Sequence, residues 1–408
     1  MKRYLKAGRH ETAYLTAFAV YILHQVLSYS LYVSLLPDTL FWFLKLTAAV
    51  LLLSALLLQG RLSVQELLTD AFLTGLGILA AIYSRRGFSL LLLLLFLLAA
   101  GSLDFWRLLK VNLWTLLGGW LLVTLSCLAG LIENRTYPRP ALGVTAQTLG
   151  FNYYAYPTMI LFTCSVIYLV LKGKKTSWFS LLSVFLLNAL AAQIYTTRIY
   201  LWAVTAFEVY LILACKFSLI SLKSRLFLYL ARWGHLLCFL GSLALYTFYE
   251  SSHPLWAALN AALSGRLQLG SQGLSAYGIH LFGTEVIMYG NAERVYGNVS
   301  AQSDYIDSGY LYTLLAYGIL FTLLLLLCYT WIFQYLYRQK EVLLYGWLGL
   351  FMFLNIFNNY LLLLEINPLL LLTLTAVRRP ARLPRRIYGH ISKAETAFPA
   401  DTQKRSSP

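Results

Sequence analysis

Unbroken apolar runs set the terms for this chain. SLLLLLLFLLAAGSL at 89–103 and YLYTLLAYGILFTLLLLLCY at 310–329 are longer than any strand buried in a soluble core. An α-helix needs about 20 such residues to cross the hydrocarbon of a bilayer. Inside lipid the backbone must bond within its own segment, which leaves helices as the spanning element of a chain patterned like this one. Of the 408 residues, 59% are hydrophobic and only 12% charged. The sequence therefore predicts an all-α, polytopic integral membrane protein with about 12 transmembrane helices. They are expected near 12–35, 39–59, 66–83, 88–103, 111–132, 153–171, 178–196, 199–215, 230–249, 308–332, 342–357 and 361–377.

Basic residues orient these spans. With the N-terminus in the cytoplasm, the inner segments carry Lys2, Arg3, Lys6, Arg9, Arg61, Arg107, Lys110, Lys172, Lys174, Lys175, Lys216, Lys223, Arg225, Arg232, Arg338 and Lys340. The outer segments carry only Arg85, Arg86, Arg135, Arg139, Arg198, Arg266 and Arg294. Such a bias places both termini inside. The formal net charge of +16 punctuates apolar runs instead of gathering on a soluble face. That excludes a nucleic-acid partner and points to anionic membrane lipid. The first apolar run follows a basic start like a signal peptide, but it is long and lacks a small-residue cleavage site, so it reads as an uncleaved span. Cys127, Cys164, Cys215, Cys238 and Cys328 all fall in apolar runs without a C-x-x-C pair, which indicates neither disulfides nor a metal.

The membrane domain covers 1–377, and the basic tail 378–408 reads as disordered. Most connections are short. The exception is 250–307, a long outer loop rich in Gly, Ser, Tyr and acids, with room for a short interfacial helix at 253–278. A smaller outer loop at 133–152 holds Arg135 and Arg139.

The outer cations are all arginines, and guanidinium is the group suited to bidentate phosphate contact. Arg266 fits either a solvated loop charge or an anion contact. Arg198 fits either a snorkelling anchor or a contact to an anionic headgroup. Asp304 and Asp307 stand before the tenth span, where a carboxylate serves as a helix N-cap or as a general base. Glu365, in LLLLEINPLL, is an ionisable residue deep in an apolar stretch, where such groups are costly and commonly paired or functional. His280 is an outer candidate base. His253 and His280 lack a carboxylate at ligand spacing, so no metal site is expected. The tyrosines of GFNYYAYPT (150–158) and those at 277, 289, 296, 305 and 310 exceed what interfacial belts need, and aromatic faces in a wet cleft stack on sugar rings.

These stretches, in their order and sidedness, resemble a family. TLGFNYYAYPTMILF is similar to a span entry of the Wzy-type repeat-unit polymerases of O-antigen, capsule and exopolysaccharide assembly, with Tyr and Pro where Asn is frequent. TTRIY resembles that family's Ser-Arg pair, with Thr197 in place of serine. LSGRL with YGIHLFG resembles its large-loop arginine motif, DSGYLYTLLAYGIL the start of its next span, and NPLLLL its closing span. The match runs from about 142 to 370 and extends to the related O-antigen ligases.

The resemblance implies a GT-C-like fold in the bacterial cytoplasmic membrane. It implies glycan polymerisation on the outer face, without metal or cofactor, on undecaprenyl-pyrophosphate-linked repeat units. The pathway's flippase and chain-length regulator would be partners. Arg198 and Arg266 would stabilise the departing pyrophosphate, Asp307 would act as base, and Tyr310 would orient the site. Arg135, Arg139, His280, Asp304 and Glu365 would bind substrate. The rival readings are a lipid-linked oligosaccharide flippase and a ligase-type transferase. Against the first, the polar residues gather at the outer surface, and no pseudo-repeated halves are seen.

Overall fold

The computed structural model describes residues 2–59, 63–85, 87–101, 103–139, 143–289, 296 and 305–378, with side chains at all of these except 2–7, 65, 139 and 378. The tail expected beyond 378 lies outside the described residues, as do Arg61, Arg86, Arg294 and Asp304.

The chain runs through α1 (Lys2–Ser28), α2 (Tyr32–Leu35), α3 (Asp38–Leu58), α4 (Val64–Tyr83), α5 (Gly87–Ala99) and α6 (Phe105–Leu128). A hairpin of β1 (Thr136–Arg139) and β2 (Val144–Gln147) follows, antiparallel, with Tyr137 opposite Ala146. Then come α7 (Ala155–Lys172), α8 (Trp178–Ile194), α9 (Ile199–Leu211, relaxing into a π turn over Ile212–Lys216) and α10 (Arg225–Thr247). The long loop contributes α11 (Pro254–Ala262) and α12 (Arg266–Tyr277), where one short helix was expected. α13 (Gly309–Gln339), α14 (Val342–Leu354), a 3-10 turn (Pro368–Leu372) and α15 (Thr373–Arg378) close the chain.

Among the described residues, seven helices are long and apolar enough to cross a membrane, and α5, α8, α14 and 368–377 are shorter apolar helices. The chain is an all-α membrane protein. The starts follow simple chemistry: a leftover N–H at a helix start takes a side-chain oxygen. Ser63 and Glu66 form a reciprocal capping box on α4, while Asp104, Ser177 and Ser224 cap α6, α8 and α10.

Burial separates two kinds of helix. In α7 and α13, 72% of the spanning window is buried within the protein, against 22% in α3 and α4. Phe43, Leu57, Leu68 and Phe72 of those outer helices are exposed. Apolar faces of this kind belong against lipid.

Two interruptions shape the interior. α13 breaks at Gly318, where φ is 83° and ψ 174°. The second corrects the expected twelfth span, which is not a continuous helix over 361–377. α14 stops at Leu354, and residues 355–367 run unwound into the 3-10 turn. The reason is local. Asn355 Nδ2 donates to Phe351 O at 2.7 Å and Asn358 Nδ2 to Leu354 O at 3.1 Å, so side chains take up the last carbonyls of α14. Pro368 then has no N–H with which to continue a helix. Leu361, Leu364, Glu365, Ile366 and Asn367 are all at most 2% exposed. Irregular backbone at membrane depth is tolerated when protein surrounds it in this way.

Candidate functional site

A left-handed turn sets Arg266. Ser264 and Gly265 have φ of 57° and 84°, and Gly265 N closes the turn on Asn260 O at 2.8 Å. α12 starts at the next residue, Arg266. A cation at a helix N-terminus opposes the helix dipole and costs ~0.3–1 kcal/mol. The helix therefore gains nothing from Arg266, and its partners lie elsewhere. Its Nη1 donates to Phe357 O of the unwound stretch at 2.8 Å. Its Nε lies 3.4 Å from Asp307 Oδ2. Guanidinium carries five N–H donors, so these two contacts leave donors for a bound anion.

Asp307 is available for that pair because it is not the cap of α13. Ser308 is: its Oγ accepts from Leu311 N at 3.2 Å and lies 3.0 Å from Ser242 Oγ. The next amide, Gly309 N, donates to Asn355 O and Asn358 O, each at 3.0 Å. The N-cap reading of Asp307 is thereby corrected by one residue. The side chains of Arg266 and Asp307 are 25% and 27% exposed, so the pair is sheltered yet open at one side. Burial raises the Asp307 carboxyl above its ordinary value, against the opposing pull of Arg266. Burial disfavours the Arg266 charge, but Asp307 and the tyrosines around it outweigh this and raise its pKa.

Tyrosines surround the pair. Tyr200 and Tyr360 share a 2.6 Å hydrogen bond, and both interact electrostatically with Arg266 and Asp307. Tyr246 does so as well, and donates to Ile356 O at 3.0 Å. Tyr153 is a further neighbour of Arg266. From it a wall of rings continues. Tyr137 meets Tyr153, Tyr154 and Tyr296 at 5.6, 5.6 and 5.2 Å between centroids. Tyr153 meets Tyr156 at 5.9 Å, and Tyr156 stacks on Tyr29 at 4.5 Å and 17°. The GFNYYAYPT tyrosines thus do form one cluster, and of the loop tyrosines Tyr296 joins it.

The other candidates are dispersed. Arg198 sits at the start of α9, two residues before Tyr200, with its side chain exposed. Arg135 is engaged by Glu133 at 3.4 Å and stacks over Tyr296 at 4.8 Å. Arg139 ends β1, and its side chain lies outside those described. Asp304 is likewise outside the described residues. His280 is an exposed loop residue whose Nε2 lies 2.9 Å from Tyr277 O. Tyr310 does not join the site: it is 0% exposed and its hydroxyl donates to Met352 O at 3.0 Å. Glu365 is also 0% exposed and is met by α1 and the turn that follows it. Tyr29 OH donates to it at 2.6 Å, Tyr21 OH at 3.0 Å and Gln25 Nε2 at 3.4 Å.

Sequence reasoning missed the contribution of the unwound stretch. The signal was there, since Asn355, Asn358 and Asn359 interrupt an apolar run. It also missed Tyr21, Gln25 and Tyr29, although their spacing of four marks one helix face. Among the described residues no group of three or more His, Cys, Asp or Glu is arranged to hold a metal ion. Comparison with protein-family models, with curated proteins and with solved structures finds no match for the chain.

Proposed function

We propose that this protein is a membrane glycosyltransferase that polymerises undecaprenyl-pyrophosphate-linked oligosaccharide repeat units at the outer face of a bacterial cytoplasmic membrane. One observation carries the reading: Arg266 and Asp307, 41 residues apart in sequence, meet in a half-open, tyrosine-lined site. Both were singled out as the anion contact and the base.

The chemistry follows from that pair. A hydroxyl of the acceptor sugar attacks the anomeric carbon of the donor glycan. A new C–O bond forms, and the bond to pyrophosphate breaks with its electron pair leaving on phosphate oxygen. Asp307 takes the hydroxyl proton, a role favoured by a carboxyl of raised pKa. Arg266 binds the departing diphosphate, as preorganised charge does for any developing anion. The diphosphate competes with Asp307 for the guanidinium, so donor binding loosens the ion pair and frees the base. Exposed Arg198, at the start of the helix that carries Tyr200, adds a second cation. Of the tyrosine wall, half-buried Tyr153 and Tyr156 and exposed Tyr296 offer ring faces for sugars.

The test is the glycan profile of a deletion strain, complemented by the wild type or by Asp307→Asn. Polymer is expected only with the wild type, and single lipid-linked units should accumulate on the outer leaflet otherwise. Polymer in the uncomplemented strain overturns the proposal. A second reading, a flippase for the same lipid-linked units, draws support from the break in α13 and the unwound 355–367, because transporters build sites from discontinuous helices. Single units trapped on the inner leaflet would decide for it.

A further inference from the structure

The segment after α12 makes contacts that the proposed chemistry does not use. Gly318 lies nine residues beyond the start of α13, about 13 Å along it. A helix break strips the flanking amides and carbonyls of their partners, and here the loop supplies new ones. Ile319 N donates to His280 O at 3.0 Å, Leu320 N to Leu281 O at 3.2 Å, and Thr284 N to Leu315 O at 3.1 Å. Two glycines permit the approach. A Cβ on Gly318 would lie 2.3 Å from Gly283 N, and one on Gly283 would lie 2.3 Å from Ala316 O. Gly283 is therefore buried in the break of α13, with Phe282 and Thr284 half-buried beside it, while Ile279, His280 and Leu281 stay exposed.

The strap so formed is fastened at its rim and ends beside the site. Phe282 stacks on Tyr83 of α4 at 5.3 Å and 16°, and Glu285 pairs with Arg85 at 3.1 Å. Returning, Val286 is 2% exposed, Ile287 O accepts from Tyr277 OH at 2.6 Å, and Met288 Sδ accepts from Ile306 N at 3.4 Å. Ile306 is 0% exposed, and Gly273 of α12 lies against it. The next residue is Asp307.

We infer that residues 279–288 are a surface strap whose seat in the break of α13 sets the position of Asp307, with Gly283, Gly318 and Met288 as positioning residues and the contacts to Tyr83 and Arg85 as a latch. The first half of α13 is then a rod held at both ends, by Asn355 O and Asn358 O at Gly309 and by the strap at the break. Loss of the seat shifts Ile306 and the carboxylate after it, and a displacement of about 1 Å at a reacting group costs ~10²-fold in rate. The positioning role rests on Asp307 being the base; the docking of the strap does not.

The test uses the full-length protein in membranes. With Tyr83→Cys and Phe282→Cys together, an added oxidant should cross-link strap to α4, and neither single variant should show that band. Adding Gly318→Ala should lower cross-linking, and in the otherwise wild-type chain Gly318→Ala should lower turnover by ~10² while the apparent KM for the lipid-linked unit holds. Undiminished cross-linking overturns the seat, and a lost seat with normal turnover overturns the positioning role. Where Gly318→Ala does not accumulate, the exposed pair decides. Arg85→Glu or Glu285→Arg should lower both readouts by up to about fivefold, and the double swap should restore them. Lowered cross-linking with unchanged turnover, or no rescue by the swap, overturns the role. Should the wild type make no polymer, the functional reading falls while the cross-link still decides the docking.

Discussion

Asp307 and Glu365 are two carboxylates of one chain in opposite circumstances. Asp307 is 27% exposed and faces a guanidinium brought from a distant loop. Glu365 is 0% exposed, and its oxygens accept from two tyrosine hydroxyls and an amide, from α1 and the turn just after it. One pair is open to an incoming ligand, while the other carboxylate is saturated by neutral donors and ties α1 to the end of the bundle. Depth in an apolar run, which made Glu365 conspicuous in the sequence, marks a group that is costly to leave unsatisfied. It does not distinguish a reactive group from a structural tie.

Substitutions can break or sharpen that contrast. Asp307→Asn should reduce polymer formation by ~10²–10⁴, the usual contribution of a general base, at unchanged membrane abundance. Normal chain length in that variant would remove Asp307 from the chemistry. Arg266→Lys should cost ~10²–10³ in turnover, because a point charge does not reproduce the planar fork at the diphosphate; in vitro turnover on lipid-linked units measures it. Glu365→Leu should act on stability instead. Each buried donor left without an acceptor costs ~1–3 kcal/mol, so the thermal midpoint in detergent should fall while turnover per folded molecule holds. A turnover loss as large as that of Asp307→Asn would erase the contrast between the two acids.

Arg198→Gln should weaken the apparent affinity for the donor by at most ~fivefold, the scale of an exposed charge contact. The smallest effect is on pH. The base works deprotonated, so rate falls as pH drops through its pKa. Burial raises that value, so the acid limb should lie above the ordinary aspartate value of about 3.9. Arg266→Gln removes the lowering influence and should move the limb to higher pH, as a pH–rate profile of residual activity would show.

The apolar runs made the helical architecture legible, and the outer arginines and acids made Arg266 and Asp307 legible as a candidate pair. What escaped was decided by single residues or by distant partners. Ser308 and Asp307 are adjacent candidates for one cap, and a shift of one position in the start of α13 turns a capping group into a catalytic candidate. Gly318 stands in an unbroken apolar run, where a lone glycine is ordinarily tolerated; its counterpart Gly283 is 35 residues away in a loop. The unwound stretch was masked by LLLLEINPLL, whose hydropathy is that of a span whether or not it is helical. Tyr310 carries the same side chain as Tyr200 and Tyr360, and only packing separates the one that bonds Met352 O from the two that meet the ion pair.

The oxygen of Phe357 that receives Arg266 belongs to the main chain. No change of side chain at 357 deletes that acceptor, so this half of the arginine's seat is insulated against point substitution. Register is its weak spot: removing one residue between 355 and 360 would present a different carbonyl to the guanidinium and draw Tyr360 away from Tyr200. Length in this stretch should therefore be guarded more strictly than composition.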